Sequence, residues 1–484
     1  MSLTKVTFSM IAGAMVNSID YPTIQDAIDA ATAQSKTLFV PDGDHLTTGL
    51  TVTCPMVMSP GAIFKYTGAQ NGVLLDIQTD NTYMPFIHTD ANSIDCTQVK
   101  ISGDNNVIDT VIVDNGVASS TSSTAIYGVA FYGAENKVHN IHVNNFANTG
   151  QANMSFPQAV FFYGSGNIAE AITAKTCASC VAIGSLSDNT RIGSLDIEDA
   201  ADNGIYQLGG NMSVGRVRYA NGEEPIVFAG GNANIDVIEI IGNAVGIGIQ
   251  DCGNVNIGQL IIEPDSVGDS AKFIVRTRAG SIACGNLSID SIVGTLKGTS
   301  LFYLTEGTVE NITVGNMDAM YYYDATLGGT LGNWFNFDAC VSFNLGDVAC
   351  KIIDVNNVLV GTDYFSFKAS NTSKISYLHS MNVVVFESDE TTYSAGGFRA
   401  ANLIQPHVYV YSGQFQTNVG PYLLRNDETA FTNGIYVNAA PSTGTWRAGS
   451  VVWNYAPSAG GTPGWVCVTA GTPGTWKAMA NVAA

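Results

Sequence analysis

Residues 203–219 read NGIYQLGGNMSVGRVRY, residues 224–240 read EPIVFAGGNANIDVIEI and residues 246–262 read GIGIQDCGNVNIGQLII. Laid under one another, they share an apolar strand, a glycine turn, an asparagine and a second strand. Branched residues fall at alternate positions, the period of a β-strand and not of a helix. Upstream copies read YGVAFYGAENKVHNIHVNNF at 127–146 and QAVFFYGSGNIAEAITA at 158–174. Fainter copies follow at 272–293, 301–317, 335–354, 364–386 and 398–411. Gly133, Gly164, Gly184, Gly209, Gly230 and Gly253 stand 31, 20, 25, 21 and 23 residues apart. A period of roughly 20–25 residues marks a solenoid. The Leu/Asn consensus of leucine-rich repeats is missing. The reading is an all-β parallel β-helix, each turn made of two or three short strands around a column of Ile, Val, Phe and Leu. Asn and Gly at the corners tolerate a left-handed backbone, and stacked Asn amides form ladders.

The composition agrees. The chain has 484 residues, 46% hydrophobic and only 13% charged, with 51 glycines. Charged residues are about half their usual share, which leaves little for solvated helix surface. Lys and Arg number 20 against 41 Asp and Glu, a net charge of 20 − 41 = −21. That balance argues against a nucleic-acid binder. No apolar run reaches the roughly 18 residues of a membrane span. The stretch Val6 to Val16 is broken by Thr7, Ser9 and Gly13 and is not read as a secretory signal. Nine scattered cysteines do not make a disulfide framework, so synthesis in a reducing cytoplasm is expected.

Residues 23–34, TIQDAIDAATAQ, place Ile24, Ala27, Ile28 and Ala31 on one helix face. Thr23 and Asp26 approximate a capping box. A strand and turn, LFVPDGDHL, follow at 38–46. Such a helix would cover the open end of the hydrophobic column. From about Gly420 the repeat stops, and Trp446, Trp453, Trp465 and Trp476 crowd among paired turns. The expected organisation is an N-terminal anchor and capping helix over 1–45, a β-helix over 46–415 and a small Trp-rich β module over 416–484. The tryptophans read as the core of that module or as sugar-stacking rings.

The opening TFSMIAGAMVNSIDYPTIQDAIDAA with LFVPDGDHL, and the closing GTWRAGSVVWNYAPSAGGTPGWVCVTAGTPGTWKAM, resemble bacteriophage tailspikes and capsule depolymerases with a pectate-lyase-like β-helix. The resemblance implies a homotrimer of right-handed parallel β-helices on a virion tail, acting outside the cell on bacterial surface polysaccharide. The chain departs from the family in having no large N-terminal head-binding domain, so Met1 to Met10 would anchor the spike to other tail proteins, or another tail protein would do so. No cofactor is expected, and the resemblance supplies no catalytic motif, so site residues come from this chain alone.

Glycosidic hydrolysis uses two carboxyl groups, roughly 5 Å apart for retention and about 6.5–9.5 Å apart for inversion. Equivalent positions on successive β-helix turns stack about 4.8 Å apart. Aligning Gln207, Phe228 and Gln250 puts Asp202 beside Glu223, with Glu224 next and Asp251 one turn on; Glu306 holds a related place further along. These five are the candidate catalytic carboxylates, with Glu223, Glu224 and Asp251 leading. Tyr132, Tyr163 and Tyr206 fall on the same general strand and offer rings to sugars. Arg276 and Arg278 follow and suit sugar carboxylates. The competing reading makes the acids turn formers or solvated groups, and the tyrosines core or trimer contacts. Asp104, Asp109 and Asp114 read as turn chemistry, and His139 with His142 as a surface or trimer-facing pair. Cys177 and Cys180 form a lone CxxC, and no metal site is expected. The expected activity is polysaccharide hydrolysis. The alternatives are β-elimination at uronic acids, with Arg276, Arg278 and Tyr206 in play, or a spike that only adheres.

Overall fold

The computed structural model describes residues 15–119, 125–149, 157–222, 224–242, 246–263, 275–278, 284–297, 302–304, 309–323, 335–337, 340–354, 359–362, 364–369, 374–378, 383–388, 407–412, 435–442, 446–454 and 456–480. Their regular secondary structure is nearly all strand. The chain divides into two compact units, Met1–Ala271 with Arg278–Gly285, and Lys272–Thr277 with Asn286–Ala484.

In the first unit the strands stack into long parallel sheets, the arrangement of a β-solenoid. One sheet, called the long sheet below, runs from Gly43–Thr47 through Ala62–Tyr66, Tyr83–Asp90, Val107–Asp114, Lys137–Thr149, Ile168–Cys177, Thr190–Glu198, Asn211–Ala220 and Asn232–Ile241 to Cys252–Glu263. The other, the short-strand sheet, runs from Leu50–Val52 through Gly72–Ile77, Cys96–Ile101, Ile126–Phe131, Pro157–Phe162, Ser179–Ile183, Asn203–Gln207 and Glu224–Phe228 to Ile247–Ile249. Successive repeats supply one strand to each. Met15–Asn17, Thr37–Val40 and Met56–Met58 form a small third sheet.

The core lies between the two large sheets. Val129, Val160, Val181, Ile205, Ile226 and Ile247 stack in register and are buried. Facing them on the long sheet are Val111, Ile141, Ile172, Leu195, Val217 and Ile238, also buried. Each such side chain contributes about 1.5–3 kcal/mol as an upper figure. Phe131 and Phe162 stack with ring centroids 4.6 Å apart. Gln207 interrupts the apolar column, and its amide nitrogen is spent on the carbonyls of Gly209, Gly210 and Asn232.

The expected asparagine ladder is present. Asn106, Asn136 and Asn167 are buried. The Asn106 N–H donates to Asn136 Oδ1 at 2.9 Å, and the Asn136 N–H to Asn167 Oδ1 at 2.9 Å. Their amide nitrogens donate to the carbonyls of Thr79, Gly103 and Gly133. The glycines three residues before Asn136 and Asn167 depart from expectation in their reason. The left-handed positions at these corners are Asn105, Glu135 and Gly166. Gly133 and Gly164 are needed because a Cβ there would overlap the carbonyl oxygen of the preceding turn's glycine. Close stacking of the coils, not backbone angle, excludes a side chain.

Helix Ile24–Ala33 has Thr23 as N-cap, and the reciprocal Thr23–Asp26 capping box forms. Ala27, Ile28 and Ala31 are buried. The cysteine expectation needs one amendment: Cys252 and Cys284 are disulfide-bonded, with Cα atoms 4.7 Å apart across 32 residues of sequence. Coil stacking brings them together, which sequence spacing does not display. Asp109 and Asp114 are also corrected. They lie within strand Val107–Asp114, not in turns.

In the second unit, parallel pairing continues within Val309–Tyr323 with Cys340–Asp354, and within Tyr364–Ala369, Val383–Ser388 and His407–Ser412. Near its end, Ile435–Val437, Val451–Asn454, Gly464–Thr469 and Thr475–Ala478 form a four-stranded sheet with two antiparallel pairings. There Trp446 and Trp476 pack edge to face at 5.0 Å, while Trp453 is 38% exposed.

Candidate functional site

The two large sheets of the first unit turn different outer faces to their surroundings. On the long sheet, adjacent turns are joined by ion pairs: Lys65–Asp44, Lys137–Glu170, Lys175–Glu198, Arg216–Glu239 and Arg218–Asp196. Exposed, solvent-screened pairs of this kind add little to stability. The short-strand sheet instead carries a register column Asp76, Lys100, Ala130, Phe161, Ala182, Tyr206, Val227, Gly248. These positions alternate with the core residues and so face away from the core. Ala130, Phe161 and Ala182 form an apolar cluster of their own, with Tyr127 packed against it.

Aromatic rings gather on this face. Tyr127 stacks on Phe161 with centroids 4.5 Å apart and planes within 8°. Tyr132 and Tyr163, one turn apart, have centroids 5.3 Å apart. They are 39% and 38% exposed, whereas Phe161 is 8% exposed. The backbone fixes them: the Tyr132 N–H donates to Ile101 O and the Tyr163 N–H to Phe131 O, extending the ladder past each strand end. The same column continues to Gly184 and Leu208, whose N–H groups bond Phe162 O and Ile183 O. Glycine at 184 therefore follows Tyr163 with no side chain. Burial pushes the Tyr127 hydroxyl above the ordinary tyrosine range, and burial also raises Tyr132. Lys100 Nζ lies 5.2 Å from the Tyr132 ring centroid and 3.5 Å from Asp76 Oδ2.

Polar residues stand at the start of these strands. Gln158 pairs in register with Ser179 and Asn203 with Glu224, and all four are buried. The Ser179 hydroxyl donates to Asp202 Oδ2 at 3.4 Å. The Asp202 carbonyl accepts from the Glu224 N–H and from the Tyr219 hydroxyl. Glu224, 2% exposed, meets Arg278, whose Nε is 3.6 Å from Glu224 Oε2.

The candidates therefore divide. Tyr132 and Tyr163 are brought together; Tyr206 sits in the neighbouring column beside Val227. Glu224 and Arg278 are brought together as an ion pair, and Asp202 lies one residue before the Asn203–Glu224 pair. Phe228 pairs with Ile249, not with Gln250. The expected alignment is thus one residue out at that turn, and exposed Asp251 lies in the corner between Ile249 and Cys252. Arg276 belongs to the second unit, where it pairs in register with Tyr303. Glu223 and Glu306 lie outside the described residues.

Sequence reasoning missed Tyr127, Phe161 and Lys100. It also missed a network on the long sheet. Tyr83 donates to Asp109, and His139 Nδ1 lies 2.9 Å from Asp109 Oδ1. His88 Nε2 lies 2.8 Å from Asp114 Oδ2. Among the described residues no His, Cys, Asp and Glu group is placed to hold a metal ion, and no helix is long and apolar enough to cross a membrane.

Comparison with known proteins places the chain in no group: no family model, no curated protein and no solved structure matches it.

Proposed function

We propose that this chain is a tailspike-type β-helix that binds bacterial surface polysaccharide along the outer face of its short-strand sheet and depolymerises it. The observation that carries the reading is the Tyr132–Tyr163 pair, two half-exposed rings one coil apart over a buried Phe161 and Tyr127 base. Rigid aromatic area with a hydroxyl at its tip suits a sugar face and edge. Repetition at strand spacing suits a polymer lying along the coil axis. The proposal includes a right-handed coil, a capping role for helix Ile24–Ala33, a homotrimer and attachment to other tail proteins. Hydrolysis by paired carboxyl groups is the preferred chemistry, with Asp202, Glu224 and Asp251 as the described carboxylates to test.

One observation favours a second reading, a spike that adheres without cleaving. Glu224 is almost wholly buried and ion-paired with Arg278, so it presents no open carboxyl to a substrate. The test is incubation of the full chain with a panel of capsular polysaccharides. Polymer size, new reducing ends and absorbance near 235 nm would be followed together. Shortening with reducing ends and no absorbance supports hydrolysis, and Glu224→Gln, Asp202→Asn and Asp251→Asn then locate it. Shortening with absorbance moves the chemistry to β-elimination. Binding without shortening leaves the adhesive spike. Failure to bind any polymer overturns the platform itself.

A further inference from the structure

We infer that Lys100 is a specificity-determining residue that reads an anionic substituent, carboxylate or phosphate, on the glycan lying over Tyr132 and Tyr163. The inference rests on the platform reading above and adds a substrate class to it.

Three observations carry it. The first is position. Lys100 stands one turn before Ala130 in the outer column, and its ammonium lies 5.2 Å from the Tyr132 ring centroid. Lys100 lies over the Tyr132 ring, so a sugar reaching the free edge of that ring has the ammonium beside it.

The second is unused donor capacity. Lys65, Lys137, Lys175 and Arg218 hold their carboxylates at 2.6–3.1 Å. Lys100 Nζ stands 3.5 Å from Asp76 Oδ2. Asp76 has closer donors of its own: the Ser102 hydroxyl at 2.6 Å on Oδ1 and the Gln78 amide at 2.9 Å on Oδ2. An ammonium has three donors, and this long contact engages at most one of them. The ring of Tyr132 attracts the cation through its face and so helps hold it in place without consuming a hydrogen-bond donor.

The third is which charge faces outward. The Lys100 side chain is 29% exposed and the Asp76 side chain 16%. The cation is therefore the more accessible partner. The chain's net charge of −21 works against an acidic polymer at long range. At physiological ionic strength, exposed charges are screened beyond about 8 Å, so the group beside the platform meets Lys100 first. Asp76 opposes this locally, which makes it the second variant to test.

The experiment uses the full chain and three polymers: a uronate-containing capsular polysaccharide, the same polysaccharide after carboxyl reduction, and a phosphate-bearing glycan. Affinities are measured by titration calorimetry for wild type, Lys100→Met, Lys100→Arg and Asp76→Asn. The expected result is that wild type prefers at least one anionic polymer over the reduced one by about tenfold or more. Lys100→Met should abolish that preference while still binding the reduced polymer. Lys100→Arg should largely keep it, and Asp76→Asn should keep or increase it. Whether the uronate or the phosphate polymer shows the effect identifies the anionic group. If wild type binds the reduced polymer as tightly as the anionic ones, or Lys100→Met keeps the preference, the inference is overturned and the platform stands as a neutral-glycan site. If wild type binds none of the polymers while Tyr132 and Tyr163 are intact, the platform reading falls, and this inference with it.

Discussion

Glu224 and Arg278 meet over the bare backbone of Gly248. Arg278 Nε is 3.6 Å from Glu224 Oε2, and a Cβ at Gly248 would overlap Glu224 Oε1 and lie 3.2 Å from Arg278 Cδ. Gly248 stands in register with Val227, so the missing side chain is an opening in the outer column. Residues 54 positions apart in sequence thus meet over one strand. Gly248→Ala should force the pair apart and cost about 1–3 kcal/mol, the usual range for overpacking. Denaturant unfolding measures it, and an unchanged midpoint would refute the contact.

The two halves of that pair are not equivalent. The Glu224 side chain is 3% exposed and that of Arg278 31%. Removing Arg278 takes a cation from a carboxyl in a buried place, whereas neutralising Glu224 leaves a cation with access to water. Arg278→Ala should therefore cost more than Glu224→Gln, both within the usual range of about 0.5–3 kcal/mol for single substitutions. Equal losses in parallel unfolding curves would contradict the asymmetry.

Tyr132→Ala and Tyr163→Ala address binding. Both rings are half exposed, so each change should alter stability by less than about 1 kcal/mol. On a polysaccharide that wild type binds, each should weaken affinity about tenfold, or ~1.4 kcal/mol. Lost stability with unchanged affinity would assign the rings to packing.

Asn136 tests the ladder. Its Oδ1 accepts from the Asn106 backbone, and its Nδ2 donates to Gly103 O at 2.9 Å. Asn136→Ala strips partners from two buried backbone groups, each worth about 1–3 kcal/mol when left unsatisfied. The expected loss is about 2–5 kcal/mol with faster proteolysis at the Gly103 and Gly133 corners. Wild-type resistance would show the ladder to be dispensable.

Strand Val107–Asp114 sets an acid response. The Tyr83 hydroxyl and then His139 hold Asp109 below the usual carboxylate range, and His88 does the same for Asp114. A depressed folded value means stability that is present above the unfolded value of about 3.9. It is lost as pH falls through the folded values. Midpoints should therefore drop below about pH 4, and Asp109→Asn with Asp114→Asn should flatten that slope. A slope unchanged in the double variant would exclude these pairs as its source.

The alternation of Ile, Val and Phe, the recurring glycine and asparagine, and the Thr23–Asp26 cap were enough to read a stacked parallel β architecture and its one described α-helix from the chain. Each is a local or periodic property, and a coil repeated in sequence must stack like on like. Tyr132 and Tyr163 were legible for the same reason, because both follow the inward Phe of their repeat. Contacts between coils depended on tertiary structure. Repeat lengths vary from 20 to 31 residues, and the extra residues are taken up in corners, so register cannot be counted across them. The pairing of Phe228 with Ile249 instead of Gln250 came from one such corner. Tyr127 was hidden by another irregularity. A Cβ on Gly128 would overlap the Ala159 carbonyl oxygen and approach core Val113, so alternation does not run cleanly through this stretch, and Tyr127 packs on Phe161. Periodicity determined which residues form the column; the corners and local irregularities of the folded coil decided which side chains meet outside it.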